Sequence, residues 1–361
     1  MPAFVRAAAL ASALAPDLDA ALERLSGPPL PPERDTPAGG AWPYFAIGVS
    51  DADWMRRAER IARAVADSLR RKAAFADAEW SRLPCIVGSS SYGTGACEHP
   101  ERPALEPPLE FARTLARWFG ARGPAIAVST ACTSGLTALH LALDLIAAGA
   151  VRDVLVLGVE LANRLTVAGF AGLELLSGTA ARPCDRGRDG LVLGEALGAV
   201  LLSASGPWRI AALASGMDPS SLTGPAPDGE VIARTMRAAL ANARWAPPEV
   251  DVLKLQAAGS LPADLAEARA VRGLFAPPPR TVSLKGAIGH TMGASGPAEL
   301  ALLLGALERG RVPATWGFAS PDDELGLTPS GGDGTAVRRV LFNLSGFGGN
   351  VASLALEKAA R

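Results

Sequence analysis

The sequence is poor in the residues that mark metal centres and disulfide-stabilised folds. Its 361 residues include four cysteines and three histidines, and no two cysteines have a Cys-x-x-Cys spacing. These counts argue against a zinc site and against a disulfide framework in so long a chain. We therefore expect reduced thiols in a cytoplasmic protein that binds no metal. The residues concerned are Cys85, Cys97, Cys132, Cys184, His99, His140 and His290.

The sequence also lacks an excess of charge and a long apolar run. The formal net charge is −1, which argues against nucleic acid or an anionic membrane as the main partner. No stretch of about 18 uninterrupted apolar residues is present, so we predict no membrane span. With 49% hydrophobic and 20% charged residues, the composition favours an ordinary folded α/β protein.

The N-terminal segment allows two interpretations. "MPAFVRAAALASALAPD" has an arginine, an alanine-rich run and an Ala-x-Ala, which together imitate a weak secretory signal. The run continues into the helical pattern "DLDAALERL". A first strand followed by a helix is therefore the favoured interpretation, and a cleaved signal is the alternative.

Short apolar runs alternate with longer helical patterns along the chain. This alternation predicts a layered α/β fold with buried sheets. A similar rhythm on both sides of "SGPW" (205–208) suggests two related halves, 1–206 and 207–361, packed as one body. The predicted strands are 84–90, 125–130, 153–160, 197–203, 209–216, 251–256, 280–286, 338–346 and 351–357. The predicted helices include 108–119, 133–148, 230–243, 264–274 and 294–308.

Cys132 lies in "VSTACTSGLTALH" (128–140), where an apolar strand gives way to a helical pattern. We expect Cys132 in the first turn of that helix, where the helix dipole and free N–H groups favour a thiolate. The local pattern fits a buried structural cysteine equally well, because free cysteine behaves as a small hydrophobe. His140 cannot be its base, since eight residues of helix span about 12 Å.

Four segments together resemble the β-ketoacyl-acyl-carrier-protein synthases, the condensing enzymes of fatty-acid and polyketide assembly. In the family's order they are "GARGPAIAVSTACTSG" (120–135), "RPCDRGRDGLVLGEALGAVLL" (182–202), "SLKGAIGHTMGASGPAEL" (283–300) and "NLSGFGGNVASLAL" (343–356). The resemblance implies a thiolase-like layered αβαβα fold. Thiolases are similar as well, but they need a second, C-terminal cysteine as base, and the last cysteine here is Cys184.

By this resemblance, Cys132 is the nucleophile that accepts the acyl chain as a thioester. The backbone N–H groups of Cys132 and Phe347 form the oxyanion hole, and Phe347 also gates the acyl pocket. Gly346, Gly348 and Gly349 allow the tight backbone path that this loop needs. In isolation, "GFGG" fits a plain turn better than a catalytic loop.

The resemblance assigns three more residues to the site. His290 corresponds to the histidine that hydrogen-bonds the malonyl thioester carbonyl as charge develops. Lys285, at the end of a predicted strand, and Glu299, in the following helix, correspond to a charged pair behind the site. Pairing would offset the desolvation cost of a buried lysine. Glu195 is expected to be structural.

The sequence departs from the family at one catalytic position. The family has another histidine, in a His-Gly-Thr-Gly-Thr-Pro loop that ends in Asp, and the matching stretch is "QAAGSLPAD" (256–264). Gln256 stands where that histidine belongs, and no histidine lies between 140 and 290. Glutamine can donate a hydrogen bond to an oxyanion, but it can neither carry positive charge nor shuttle a proton. Decarboxylation should therefore suffer more than acylation of Cys132.

Three functions stay open. The chain is a working condensing enzyme with a Cys–Gln–His site, a partner subunit resembling a chain-length factor, or an acyl-transfer or hydrolytic protein without decarboxylation. In each case the resemblance implies an acyl carrier protein as partner and a homodimer or heterodimer with another ketosynthase subunit. It implies no bound cofactor, since the phosphopantetheine arm belongs to the carrier-linked acyl and malonyl substrates.

Overall fold

The computed structural model describes residues 2–34, 36, 38–98, 106–332, 334 and 336–360. His99 lies outside them. The strands of the described residues are β1 (Ala3–Ser12), β2 (Tyr44–Phe45), β3 (Cys85–Gly88), β4 (Ala125–Val128), β5 (Val154–Glu160), β6 (Leu193–Gly194), β7 (Ala196–Ser203), β8 (Trp208–Met217), β9 (Val252–Lys254), β10 (Arg280–Val282), β11 (Arg339–Ser345) and β12 (Asn350–Lys358). The helices are α1 (Leu18–Leu25), α2 (Trp54–Ala73), α3 (Asp77–Ser81), α4 (Thr94–Cys97), α5 (Pro108–Trp118), α6 (Ser134–Ala147), α7 (Arg164–Gly172), α8 (Glu230–Ala243), α9 (Leu261–Leu274), α10 (Lys285–Ile288) and α11 (Ser295–Glu308).

The main sheet repeats one strand order. In the first half of the chain the order is β4-β3-β5-β7-β1, and in the second half it is β10-β9-β11-β12-β8. In both halves the first three strands are parallel and the last two pairings are antiparallel. A short antiparallel pairing of β1 with β8 joins the halves. The division into domains at residue 206 stays a prediction.

Helices and the two halves of the main sheet, called here the first and the second sheet, alternate in five layers. α2 and α5 pack on the outer face of the first sheet, and α8 and α9 pack on the outer face of the second. The apolar sides of α6 and α11 lie between the two sheets in the largest hydrophobic cluster. This layering is the predicted thiolase-like αβαβα fold. It brings the carboxyl ends of the central strands of both halves towards one region.

Several element boundaries differ from their predictions. The predicted strand 280–286 ends at Val282, and Lys285 begins the short helix α10 instead of ending a strand. The segment expected to form a first strand and helix does form β1 and α1. Helix α2 was not predicted. Its buried face mixes alanines with Ile61, Val65 and Leu69, and one of its arginines, Arg57, is itself buried. Among the described residues, no helix has both the length and the apolar character needed to cross a bilayer.

Glu195 lies in a buried ion pair that anchors α2 to the first sheet. Its carboxylate accepts hydrogen bonds from Arg57, from Ile47 N at 2.7 Å and from Ala162 N at 2.8 Å. Replacing Glu195 with alanine leaves the buried guanidinium of Arg57 and two backbone N–H groups without their acceptor. We expect the free energy of unfolding, measured in urea, to fall by about 3–5 kcal/mol.

Glu59→Ala is the matched control for this prediction. Glu59 pairs with Arg63 on the exposed face of the same helix. We expect its removal to lower the free energy of unfolding by about 0.3–0.5 kcal/mol. Equal effects of the two substitutions would contradict a structural role for the Glu195 ion pair.

Candidate active site

Cys132 lies at the turn between β4 and α6. It was predicted in the first turn of the helix. The helix begins at Ser134 with Thr133 as its N-terminal flanking residue, so Cys132 lies two residues before the helix. Ala131 has a φ of +51°, a left-handed conformation that non-glycine residues seldom adopt. The turn is held by Ser134 Oγ, which accepts from Thr130 N at 2.9 Å and donates to Ala131 O at 2.6 Å. Cys132 thus lies just before the helix, in a fixed turn.

His290 reaches Cys132 from the second half of the chain. Its N–H donates to Val192 O at 2.8 Å and its carbonyl accepts from Gly194 N at 3.1 Å, so its backbone is tied to the β6 segment of the first half. Its ring nitrogen Nε2 lies 3.1 Å from Cys132 Sγ. The predicted pairing of these two residues is therefore present in the structure.

The tautomer of His290 follows from its other ring nitrogen. Nδ1 is buried and has no hydrogen-bond partner among the described residues. Buried N–H groups without an acceptor are rare, so we assign the ring proton to Nε2. In this tautomer Nε2–H donates to the Cys132 sulfur. The same N–H can donate to a carbonyl oxygen that enters the site.

Cys132 and His290 line one pocket, which is partly open to solvent. Gln256 and Phe347 also line it, as predicted site residues. The other lining residues are Phe170, Leu175, Leu191, Thr223, Gly224, Pro225, Ala257, Ala258, Ser260, Ala263, Asp264, Ser345 and Gly346. The sulfur therefore faces a cavity of mixed polarity that could hold a substrate.

Gln256 is held at the pocket wall by its backbone. Its N–H donates to Glu267 Oε1 at 2.7 Å, and the next N–H, of Ala257, donates to Glu267 Oε2 at 2.8 Å. The side-chain oxygen Oε1 is buried and has no partner among the described residues. Asp264 closes the same loop by accepting from Ala258 N at 3.0 Å. The side-chain oxygen of Gln256 is thus free to accept a hydrogen bond from a ligand.

The Phe347 loop packs directly on Cys132. A Cβ on Gly346 would lie 2.9 Å from Cys132 Cβ, so the backbone can approach only with glycine there. Gly348 has a φ of +72°, is exposed, and donates its N–H to Leu222 O at 2.8 Å, so it shapes the loop. The ring of Phe347 stacks on Phe170 with centroids 5.1 Å apart. These two rings form one wall of the pocket.

Burial, more than any neighbouring charge, sets the protonation state of both groups. Burial raises the pKa of the Cys132 thiol to about 11, although Lys285 and a hydrogen bond from the Phe347 N–H lower it. The backbone N–H groups do favour a thiolate, as predicted, but the desolvation cost of burial is larger. Burial lowers the pKa of His290 well below its usual value, and Lys285 and Lys254 lower it further. The resting pair is a thiol and a neutral imidazole.

Lys285 and Glu299 form the predicted ion pair behind the pocket. The ammonium group of Lys285 bonds Glu299 Oε1 and lies 3.2 Å from Ser295 Oγ. A second lysine, Lys254, contacts the other oxygen of Glu299, and sequence reasoning did not find it. The sequence did contain an indication of Lys254. Lys254 lies two residues before Gln256 in the predicted strand 251–256, and alternate residues of a strand share a face.

Glu160 is another buried carboxylate that the sequence did not indicate. It accepts from Ser89 Oγ at 2.6 Å, from Ser91 N at 2.9 Å and from Gly293 N at 3.1 Å. It therefore ties the loop after β3 to the turn that follows His290. Within the described residues, no three side chains of His, Cys, Asp and Glu are grouped as metal ligands would be.

The repeated strand order and the five layers define the thiolase-like class of proteins. Models of the β-ketoacyl synthase N-terminal and C-terminal domains match residues 42–205 and 209–319 of this chain. The chain belongs to the β-ketoacyl synthase family.

Individual relatives agree with this assignment. The chain is 34% identical over 278 residues to the tetracenomycin polyketide synthase ketoacyl synthase alpha subunit of Streptomyces glaucescens. That match covers 70% of this chain and 65% of the relative, just under two thirds of its length. A polyketide beta-ketoacyl synthase 1 of Streptomyces cyaneus is 32% identical, with 77% of this chain and 76% of the relative covered.

A solved structure supports the fold over the whole chain. It is the complex of a ketosynthase with its chain length factor from Xenorhabdus doucetiae. The aligned chain has a TM-score of 0.85 at 24% identity and covers 99% of this chain and 98% of its own. At this identity the likeness concerns the fold alone.

Proposed function

We propose that this protein is a β-ketoacyl synthase of fatty-acid or polyketide chain elongation, with Cys132 as nucleophile. The observation that supports it most is the 3.1 Å contact between Cys132 Sγ and His290 Nε2 in a pocket that Gln256 also lines. We also propose that the halves 1–206 and 207–361 act as two domains of one cytoplasmic protein. The first supplies the nucleophile and the second supplies His290 and the Phe347 loop.

The first step is acyl transfer from the phosphopantetheine thiol of an acyl carrier protein to Cys132. The thiol loses its proton, its sulfur attacks the thioester carbonyl, and the carrier's thiol leaves with a proton. The N–H groups of Cys132 and Phe347 stabilise the tetrahedral oxyanion. Gly346 lets that loop approach Cys132 closely, which favours this assignment.

The second step joins a malonyl unit to the acyl chain. The malonyl thioester loses CO₂, and the resulting enolate carbon attacks the acyl-Cys132 carbonyl and expels the thiolate. His290 Nε2–H and the amide N–H of Gln256 would donate to the enolate oxygen. Neither donor is charged, so this step relies on hydrogen bonds and on the lysines behind the pocket.

A partner subunit resembling a chain-length factor is the second candidate. Gln256 in place of a histidine favours it. The edge strand β4, whose four residues Ala125–Val128 are all partly exposed and apolar, fits a dimer in either candidate. Exposed apolar edge strands invite pairing with another chain. Co-purification with an adjacent synthase separates the candidates, since a partner subunit yields product only in the mixed dimer.

Gln256→His tests whether position 256 limits the second step. A histidine there restores a group that can carry charge, so we expect malonyl decarboxylation to rise by about tenfold or more. Release of CO₂ from malonyl carrier protein measures it.

Gln256→Leu is the matched control for this substitution. It removes the amide donor at similar volume, and we expect it to slow decarboxylation. Equal decarboxylation rates in Gln256→His and the wild type would contradict the proposed limit at this position.

A further inference from the structure

The buried carboxylates around Cys132 outnumber the buried cations, and Lys254 is one of the two lysines that offset them. Three carboxylates close to the pocket, Glu160, Glu267 and Glu299, are each at most 2% exposed. A fourth, Asp264, has Arg188 as a nearby cation. The other buried cations of this region are Lys254 and Lys285. A thiolate at Cys132 would add one more negative charge to this group.

Lysine is rare in this chain, which makes the position of Lys254 informative. The 35 basic side chains include four lysines, Lys72, Lys254, Lys285 and Lys358, and the rest are arginines. Two of the four are buried against the same carboxylate, that of Glu299. An ammonium group is a compact point charge, unlike the planar guanidinium that this chain uses elsewhere.

Several neighbours of Lys254 stabilise a positive charge on its side chain. Its Nζ contacts Glu299, lies 3.4 Å from Asn343 O and sits 4.3 Å from the centre of the Phe342 ring. Glu267 adds attraction and Lys285 adds repulsion. A cation over an aromatic face is stabilised by the ring's quadrupole.

We propose that Lys254 is a positioning residue of this site, whose buried positive charge, acting with Lys285 through their shared partner Glu299, permits a negative charge at Cys132. With Lys254, the group Lys254, Lys285, Glu267 and Glu299 is neutral. Without it, the same group is negative and opposes the thiolate, as Glu160 already does. The inference rests on the proposed role of Cys132 as nucleophile.

The protonation of Lys254 supports this role near neutral pH. Burial lowers the pKa of Lys254 to about 8, while Glu299 raises it and Lys285 lowers it. Burial raises the pKa of Glu267 to about 6, although hydrogen bonds from the Gln256 N–H and from Asn343 lower it. Both groups are therefore mostly charged at about pH 7. The charges that act directly on Cys132 are Lys285 and Glu160.

The test is the pH profile of Cys132 alkylation by iodoacetamide, followed by mass spectrometry of the Cys132 peptide. Lys254→Gln removes the charge but keeps an N–H donor for Glu299. We expect its alkylation at about pH 7 to be three- to tenfold slower than in the wild type, a shift that disappears above about pH 8, where Lys254 itself loses its charge. Lys254→Met, which also removes the donor, should show the same shift.

Lys358→Met is the matched control, since Lys358 lies at the far end of β12 near Trp208. We expect it to leave the profile unchanged. A folded Lys254→Gln protein with the wild-type profile would overturn the inference. Alkylation needs no carrier protein, so a chain that shows the shift but no condensation would refute the proposed function and leave this inference intact.

Discussion

Replacing Cys132 with alanine is expected to abolish both the acyl-enzyme and the condensation product. The side chain lost is the group whose sulfur lies 3.1 Å from His290 Nε2 and faces the pocket. Removing a catalytic nucleophile costs at least about 10⁴-fold in rate. The measurement is product formation from acyl and malonyl carrier proteins, together with the intact mass of the protein.

Cys97→Ala is the matched control for that substitution. Cys97 is a partly buried free thiol in α4, and its Sγ lies 3.8 Å from Gly93 O. We expect the full rate and a full acyl adduct in this variant. Product formation that persists in Cys132→Ala would place the nucleophile elsewhere.

Replacing His290 with alanine is expected to impair the two steps unequally. Nε2–H is one of the two proposed donors to the enolate oxygen, and Gln256 can only partly replace it. Loss of one such donor costs about 10²- to 10³-fold in rate. We expect condensation to fall on this scale, and acylation of Cys132 to fall by less than about tenfold, since the Cys132 and Phe347 N–H groups stay in place.

His140→Ala is the control for His290. His140 lies on α6, where its Nδ1 is 3.2 Å from Ser215 Oγ, and the proposed chemistry does not use it. We expect the wild-type rates of both steps. Equal losses of acylation and condensation in His290→Ala would contradict a role confined to the enolate.

Sequence reasoning located the parts of the site that lie in contiguous segments. The pairing of Cys132 with His290, the Phe347 loop and the Lys285–Glu299 ion pair all follow from segments that resemble the family. The alternation of apolar and helical stretches likewise predicted the layered fold. The layered fold depends on a local pattern that the sequence displays directly, whereas the site residues were predicted from the family resemblance.

The remaining features depend on packing between distant elements. Lys254 and Glu299 are 45 positions apart and meet because β9 and α11 belong to adjacent layers. Glu160 bonds Gly293 for the same kind of reason. The protonation of Cys132 could not be predicted either, because the pKa depends on burial, and burial follows from the whole fold. The dipole and free N–H groups at a helix end are only some of the effects on this pKa, and burial opposes them.

The central claim is that Cys132 carries the growing chain, and mass spectrometry of the wild-type protein tests it most directly. The protein is incubated with an acyl carrier protein thioester and divided into two portions. One portion is digested at once, and the other is treated with malonyl carrier protein before it is digested. We predict an acyl mass on the Cys132 peptide that disappears when malonyl carrier protein is added, with a β-ketoacyl product on the carrier. An unmodified Cys132 peptide, or an acyl group on another residue, would contradict the account.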